Sequence, residues 1–483
     1  MRRKILFLLA GLLLIAGTTA KGQNIAASYK TDIHIVSAND MHAAFENFPQ
    51  LAAVVDSLRA IDQQTMILAA GDNRTGNPLC DLYEISSFPM VALMNYVGFD
   101  ATTYGNHEFD GGQYNLARLT NLSNFAYLCA NAFADPKFGI QNQPYKFFDV
   151  NGVKVCVLGI VQIGSHGRPD THPKNVEGIR FEPVEETIQK YLYLRDKCDV
   201  FILLSHIGYD DDVKMAEKFP QFDLIVGGHS HTQIDGGEIH NGVLITQNVN
   251  KLKRITYTTL TVENGKVTAK SAKNIEVEKY PKKNATVQNM VDYFSANPEF
   301  KRVLAQVEAP FSTYEELGCL MADAIREESG SDLSFANYGG VRYDEHPVGG
   351  FTVNDALRLD PFGNNAIVMN ITGEEFRQMI IACFYADEMR FPLISGAKAE
   401  VTYTDESKRK IKDVKLFTPD GKKLDLKKIY KVVGNSYATT VSDSPRRDQG
   451  EDTNRQTADM LMKYLEKVKK INYQGVTCIT HKF

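Results

Sequence analysis

The chain has 483 residues, 43% of them hydrophobic and 23% charged, with a formal net charge of −5 at pH 7. That balance excludes a disordered chain, and at roughly 100–250 residues per domain the length leads to an expectation of two domains. No long basic stripe is present, so nucleic acid is excluded as the expected partner. Small anionic substrates stay compatible, because a metal pair supplies local positive charge.

Arg2, Arg3 and Lys4 precede the apolar run Ile5 to Ala16, and Thr18-Thr19-Ala20 ends it with small residues. This reads as a secretory signal peptide over residues 1–20, cleaved after Ala20, and implies a periplasmic or secreted protein. A permanent anchor is the rival reading, but the run falls short of the roughly 20 residues that span a bilayer. No later segment is apolar enough to span, so no stable membrane anchor is expected. Losing the three basic residues takes the charge from −5 to −8. Seven scattered cysteines form no C-x-x-C pair, which argues against a zinc knuckle.

Residues 25–278 alternate short β runs with helical patterns. Ile33 to Ala38 and Met66 to Ala70 read as strands. Phe48, Leu51, Ala52, Val55 and Leu58 recur at helical spacing, and Phe88 to Val97 reads as a second helix. Asn151-Gly152 signals a hairpin between Lys146–Val150 and Val153–Ile160. Val200 to Leu204 and Leu224 to Val226 are buried-strand runs, with late strands at Val243–Gln247 and Ile255–Val262. The pattern predicts a layered α/β domain. Residues 279–306 are Lys-rich and polar and read as an interdomain linker containing a helix near Val287 to Phe294; a surface helix of the first domain is the alternative. A second α/β pattern occupies 307–483, with a helix through Leu317 to Ile325 and strands at Leu333–Ala336, Ala366–Ile371, Ala399–Tyr403 and Ile429–Val433.

Five segments of the first domain share one design, a strand followed at once by a polar loop. They are Asn39-Asp40-Met41-His42, Gly71-Asp72-Asn73, Gly105-Asn106-His107-Glu108, Ser205-His206 and Gly227-Gly228-His229-Ser230-His231. Loops at the carboxyl ends of strands in an open α/β sheet converge on one crevice. Carboxylate, amide and imidazole donors suit zinc, manganese, iron or cobalt better than calcium, which prefers oxygen alone. Asp72 is suited to bridge two ions. The glycines leave room for tight backbone paths. His34, His166, His172, His240, His346 and His481 lack a neighbouring ligand pattern and read as surface or satisfied core residues.

The ordered segments resemble those of the calcineurin-like metallophosphoesterases. Gly71-Asp72-Asn73 through Pro78-Leu79, Gly105 through Asp110, and the downstream half look like the 5′-nucleotidase and UDP-sugar hydrolase family. The resemblance implies a four-layer αββα metallophosphoesterase domain followed by a second α/β substrate-binding domain. It implies two divalent ions, zinc or manganese. Asp40, His42, Asp72 and His231 would hold one; Asp72, Asn106, His206 and His229 would hold the other. His107, oriented by Asp110, would face the phosphoryl group and stabilise the charge that develops there. Two ions roughly 3.5–4 Å apart lower the pKa of bound water, and hydroxide attacks phosphorus in line.

In the second domain, Glu316-Leu317-Gly318, Asn337 through Arg342, and Pro361-Phe362-Gly363-Asn364 resemble the family's substrate-gripping half. By that resemblance Arg342 would bind the phosphate, Asn337 the base or ribose, and Phe362 and Tyr437 would sandwich the base. Two departures stand out. Pro310 to Tyr314 lacks an arginine found there in many members, and Ala438 to Asp448 replaces a G-G-D-G-aromatic turn. Arg446 or Arg447 is a candidate substitute for the missing charge. The expected function is therefore an exported nucleotidase acting on a small phosphorylated substrate. A UDP-sugar, a cyclic nucleotide or a sulfur-linked ester is an alternative on the same site, and a non-catalytic binding protein is the rival of another class.

Overall fold

The computed structural model describes residues 30–387 and 389–482. The expected signal peptide lies outside these residues. Among the described residues no helix is long and apolar enough to cross a membrane.

Two six-stranded sheets form the first domain. In one, the spatial order is Lys266–Glu276, Arg254–Glu263, Lys30–Ala38, Met66–Ala69, Ala101–Thr103 and Ala126–Leu128. In the other it is Glu238–His240, Val243–Thr246, Leu224–Val226, Val200–His206, Val153–Val161 and Tyr145–Val150. Strand periodicity explains the stacking. On Val200–His206, Val200, Ile202 and Leu204 join a core between the sheets with Ile33, Ile35 and Leu68. The alternate residues Phe201 and Leu203 pack outward with Ile188, Met215 and Phe219 of the covering helices. Both faces are covered, so the strand reads as one apolar run rather than an alternating one. Each fully buried aliphatic side chain of this kind contributes roughly 1.5–3 kcal/mol. Helices lie on both outer faces, and the expected αββα layering is present.

The stretch expected to be a linker is divided between the two domains. Asn284 caps the helix Ala285–Phe294 by accepting from the backbone N–H groups of Thr286 and Val287. Val287, Val291 and Phe294 sit in the outer core of the first domain with Phe48, Leu51 and Leu93, so this is a packed outer helix. The strand Val303–Val307 pairs with Gly349–Thr352 and Lys470–Ile471 and belongs to the second domain. Its apolar residues were hidden in the sequence by the polar run ahead of them. The second domain centres on a five-stranded sheet ordered Leu393–Ser395, Leu333–Ala336, Ile429–Asn435, Asn365–Thr372 and Glu451–Gln456. The helices Tyr314–Ser329 and Gly373–Ala386 contribute Leu317, Leu320, Phe376 and Phe384 to its core.

Candidate metal centre and substrate cleft

All five polar loops leave the carboxyl ends of parallel strands, but the strands belong to both sheets. The Asp40, Asp72 and Asn106 loops follow strands of one sheet, and the His206 and His229 loops follow strands of the other. The crevice therefore straddles the sandwich instead of lying on a single open sheet. The backbone there is strained. Asp40 (φ 48°), His42 (φ 46°), Asp72 (φ 51°), His229 (φ 80°) and His231 (φ 54°) all occupy the left-handed region. Side chains rarely adopt it, and strain of this kind gathers where geometry serves a site. Gly105 is required: a Cβ there would stand 2.1 Å from Asp72 Oδ1.

The seven side chains meet in two overlapping groups. His231 Nε2 lies 3.4 Å from Asp40 Oδ1 and 3.1 Å from His42 Nε2, and His42 Nε2 lies 3.9 Å from Asp72 Oδ2. On the other side of Asp72, its Oδ2 is 3.3 Å from His206 Nε2. Asn106 Oδ1 is 3.3 Å from His206 Nε2 and 3.0 Å from His229 Nδ1. Ring orientation is set from behind. His42 Nδ1–H donates to the Thr75 carbonyl at 3.0 Å and His206 Nδ1–H to the Ala70 carbonyl at 2.6 Å, so each Nε2 faces inward. Carbonyl-braced imidazoles are the usual support of metal ligands. The His42 and His231 Nε2 atoms lie 3.1 Å apart, and with Asp40 they are close enough to ligate one ion. The donor set fits divalent ions.

Electrostatics agree. Burial pushes the Asp72 carboxyl up, but His206, His107 and His42 outweigh it and hold it well below the usual carboxylate range. Asp40, likewise buried, is held at about 2 by His231 and His206. Burial lowers His206, yet Asp72 and Asp40 lift it to about 10, so a metal binding at Nε2 would displace a proton there. His42 is depressed by burial and by the Arg342 guanidinium.

His107 borders His42 and Asp72 but is paired with Asp110. Its Nδ1 is 2.7 Å from Asp110 Oδ2, and its Nε2 is 4.0 Å from Asp72 Oδ2. Burial lowers its pKa, but Asp72 and Asp110 raise it on balance. Thr171 Oγ1–H donates to the other Asp110 oxygen at 2.9 Å and fixes the pair.

The second domain closes over this centre. Arg342 reaches within 3.4 Å of the His42 ring, and its guanidinium stands 5.4 Å from the Phe362 ring centre. Phe362 stacks on His107 with centroids 5.6 Å apart. Asn337, Arg342, Phe362 and Tyr437 all line one cavity of about 140 Å³ together with Asp72, Asn106 and His107. Arg446 and Arg447 do not line it. Arg446 donates to the carbonyls of Ser442 and Thr439, and Arg447 pairs with Glu375.

Two sets of residues escaped the sequence reading. Glu108 accepts from the backbone N–H groups of Asp72 (2.8 Å), Asn73 (2.8 Å) and Gly105 (2.6 Å), stapling two site loops together. Only its place beside Asn106 and His107 hinted at this. Asp170, His172, Asn175 and Asp387 also line the cavity. His172, expected to be a surface or core residue, caps the turn Pro173–Val176 and borders the cleft. The loop that carries it has no periodicity to mark it. His346, by contrast, is a buried residue 3.4 Å from Asp355, as a satisfied core histidine should be.

The layered fold and the clustered donors define a metallophosphoesterase, a metal-dependent phosphoester hydrolase. Residues 31–233 match the calcineurin-like phosphoesterase family model, and residues 299–444 match the model of the 5′-nucleotidase C-terminal domain. The chain belongs to the 5′-nucleotidase family of calcineurin-like phosphoesterases. It is 28% identical to protein UshA of Yersinia enterocolitica across 90% of this chain and 91% of that one. It is 23% identical to the trifunctional nucleotide phosphoesterase protein YfkN of Bacillus subtilis across 90% of its own length, and spans 34% of that longer protein. The fold matches the crystal structure of a 5′-nucleotidase precursor from Thermus thermophilus with TM-score 0.83 at 22% identity, covering 94% of this chain and 99% of that one.

Proposed function

We propose that the protein is an exported 5′-nucleotidase that hydrolyses nucleoside 5′-phosphates to nucleoside and phosphate. The observation that carries this reading is the single cavity in which Arg342 and the aromatic rings of Phe362 and Tyr437 face the Asp72–Asn106–His107 edge of the ligand cluster. A guanidinium suits a phosphate, and flat apolar rings suit a base. The trifunctional nucleotide phosphoesterase of Bacillus subtilis and the 5′-nucleotidase precursor of Thermus thermophilus support a nucleotide substrate.

Asp40, His42, Asp72 and His231 would hold one divalent ion, and Asp72, Asn106, His206 and His229 a second, zinc or manganese in each case. When bound, such a pair supplies electrophilic charge to the phosphoryl oxygens and brings the pKa of water to about 7. The chain's own residues do the rest. Arg342 holds the phosphoryl group at the cluster. His107, whose imidazolium form Asp72 and Asp110 favour, offers Nε2–H to the oxygen on which charge grows. Phe362 roofs His107 and keeps water from that face. Asn337 and Tyr437 orient the nucleoside half.

The test is phosphate release by the manganese-loaded protein from 5′-nucleotides, UDP-glucose and cyclic nucleotides. Fastest release from the 5′-nucleotides is expected. A preference for UDP-glucose or a cyclic nucleotide would move the assignment to that substrate, and no turnover with both metals bound would falsify an enzyme at this site. Export is checked separately by the amino terminus of the secreted protein, expected at Lys21.

A further inference from the structure

The cavity is electrically divided. The positive charge of Arg342 bears on His42 and His107, at the metal end. Around the Tyr437 phenol the charges are negative: after burial, Asp170 and Asp387 are the strongest influences raising its pKa. Asp387 ends the helix Gly373–Ala386 of the second domain, and Asp170 sits on the cleft loop of the first. The Asp387 carboxylate is seated with care. Its Oδ2 accepts the Gly339 backbone N–H at 2.8 Å, and a Cβ on Gly339 would stand 2.8 Å from Oδ1. Gly339 thus leaves room for an acid within the loop that also carries Asn337 and Arg342. Asp170 is held by Gln162, whose Nε2–H donates to Oδ2 at 2.7 Å and whose Oε1 accepts the Asp170 N–H at 3.1 Å.

An ionised carboxylate accepts hydrogen bonds and donates none. Two of them bordering a pocket whose other end takes an anion would repel a second negative group and reward a neutral, donor-bearing one. We propose that Asp387, which shares the cavity wall with Asp170, is a specificity-determining residue that accepts hydrogen bonds from the nucleoside half of the substrate. The donors are sugar hydroxyls or an exocyclic base amine, which share this chemistry. The inference rests on the nucleotidase reading above and adds which feature of the nucleoside is recognised.

The experiment measures kcat and KM of the metal-loaded wild type, Asp387→Asn and Asp170→Asn on four substrates. These are adenosine 5′-phosphate, its 2′-deoxy and 3′-deoxy analogues, and inosine 5′-phosphate, which lacks the amine. Asparagine keeps an oxygen for the Gly339 N–H, so the loop stays braced. For Asp387→Asn, KM for adenosine 5′-phosphate is expected to rise about tenfold with kcat within about a factor of two, as losing a hydrogen bond to a charged acceptor predicts. The analogue lacking the recognised donor should be insensitive, which tells hydroxyl from amine. Asp170→Asn should move KM in the same direction. Equal KM changes on all four substrates, or none on any, would overturn the assignment, because a purely structural role cannot discriminate among them. If the wild type hydrolyses p-nitrophenyl phosphate but none of the four nucleotides, the nucleotidase reading fails and this inference fails with it. If the nucleotides are hydrolysed and Asp387→Asn is indifferent, this inference alone fails.

Discussion

His107 and Asp72 approach within 4.0 Å, yet their replacement should have different consequences. Asp72 touches both ligand groups, so Asp72→Asn weakens the negative centre of the cluster. Metal content measured after dialysis should fall together with activity. The His107 side chain pairs with Asp110, and the bond that His107 gives Asp72 Oδ1 at 2.9 Å comes from its backbone N–H, which alanine keeps. His107→Ala should keep its metals and lose roughly 10²–10⁴-fold in kcat, the usual worth of a positioned proton donor. A variant with emptied metal sites would sink that separation of roles. Residues of this kind were legible because each follows a strand directly and carries a donor side chain. Glu108 was not, although it lies in the same segment. Its work depends on backbone N–H groups 35 and 36 positions earlier, and nothing local in the sequence tells where a buried carboxylate will find its donors.

Two loops show how elements hold the site. Glu108 satisfies three backbone N–H groups across the Asp72 and Asn106 loops. Removing an acceptor from a buried donor costs about 1–3 kcal/mol, and misplaced supporting shells weaken metal binding about 10–100-fold. Glu108→Ala should therefore lower metal affinity by about that factor in a zinc titration, although Glu108 is no ligand. In the second domain, Asp360 anchors the Phe362 loop by accepting the hydroxyl of Thr457 and the Phe362 N–H. Burial lifts its pKa to about 6, above an unfolded value of about 3.9. The folded state therefore binds this proton more tightly. Its contribution is complete below about pH 4 and is lost as pH rises through about 6, a difference of roughly 3 kcal/mol. Asp360→Asn should flatten the fall in Tm over that interval; a wild-type slope kept by the variant would show that another group causes it. Helices and strands with clear periodicity were readable here, Phe88–Val97 and Leu333–Ala336 among them. The partition of parallel strands between two sheets was not, because runs such as Val200–Leu204 and Met66–Ala69 carry the same apolar signal whichever sheet they enter.

At the scale of the whole molecule the two domains divide the work. Every proposed metal ligand comes from the first, and Arg342, Phe362 and Tyr437 come from the second. The contact between them is nonetheless close: Lys251 Nζ–H donates to the Arg342 carbonyl at 2.8 Å, and Arg342 reaches the His42 ring. Metal binding draws together loops from both sheets and stabilises their strained backbone, so it contributes to folding free energy. At an ion concentration 100 times the Kd this amounts to about 2.7 kcal/mol, which for a domain of this size raises Tm by roughly 5–10 °C. A chelator should remove that rise. Arg342→Ala should leave the rise intact, because no ligand is lost, while KM for a 5′-nucleotide increases about tenfold or more from the lost charge-assisted contact. Scanning calorimetry with and without chelator, run beside steady-state kinetics, checks both halves. If Arg342→Ala abolishes the metal-dependent rise in Tm, then the guanidinium is helping to build the metal centre from across the domain boundary, and substrate grip and metal binding are a single cooperative unit rather than two.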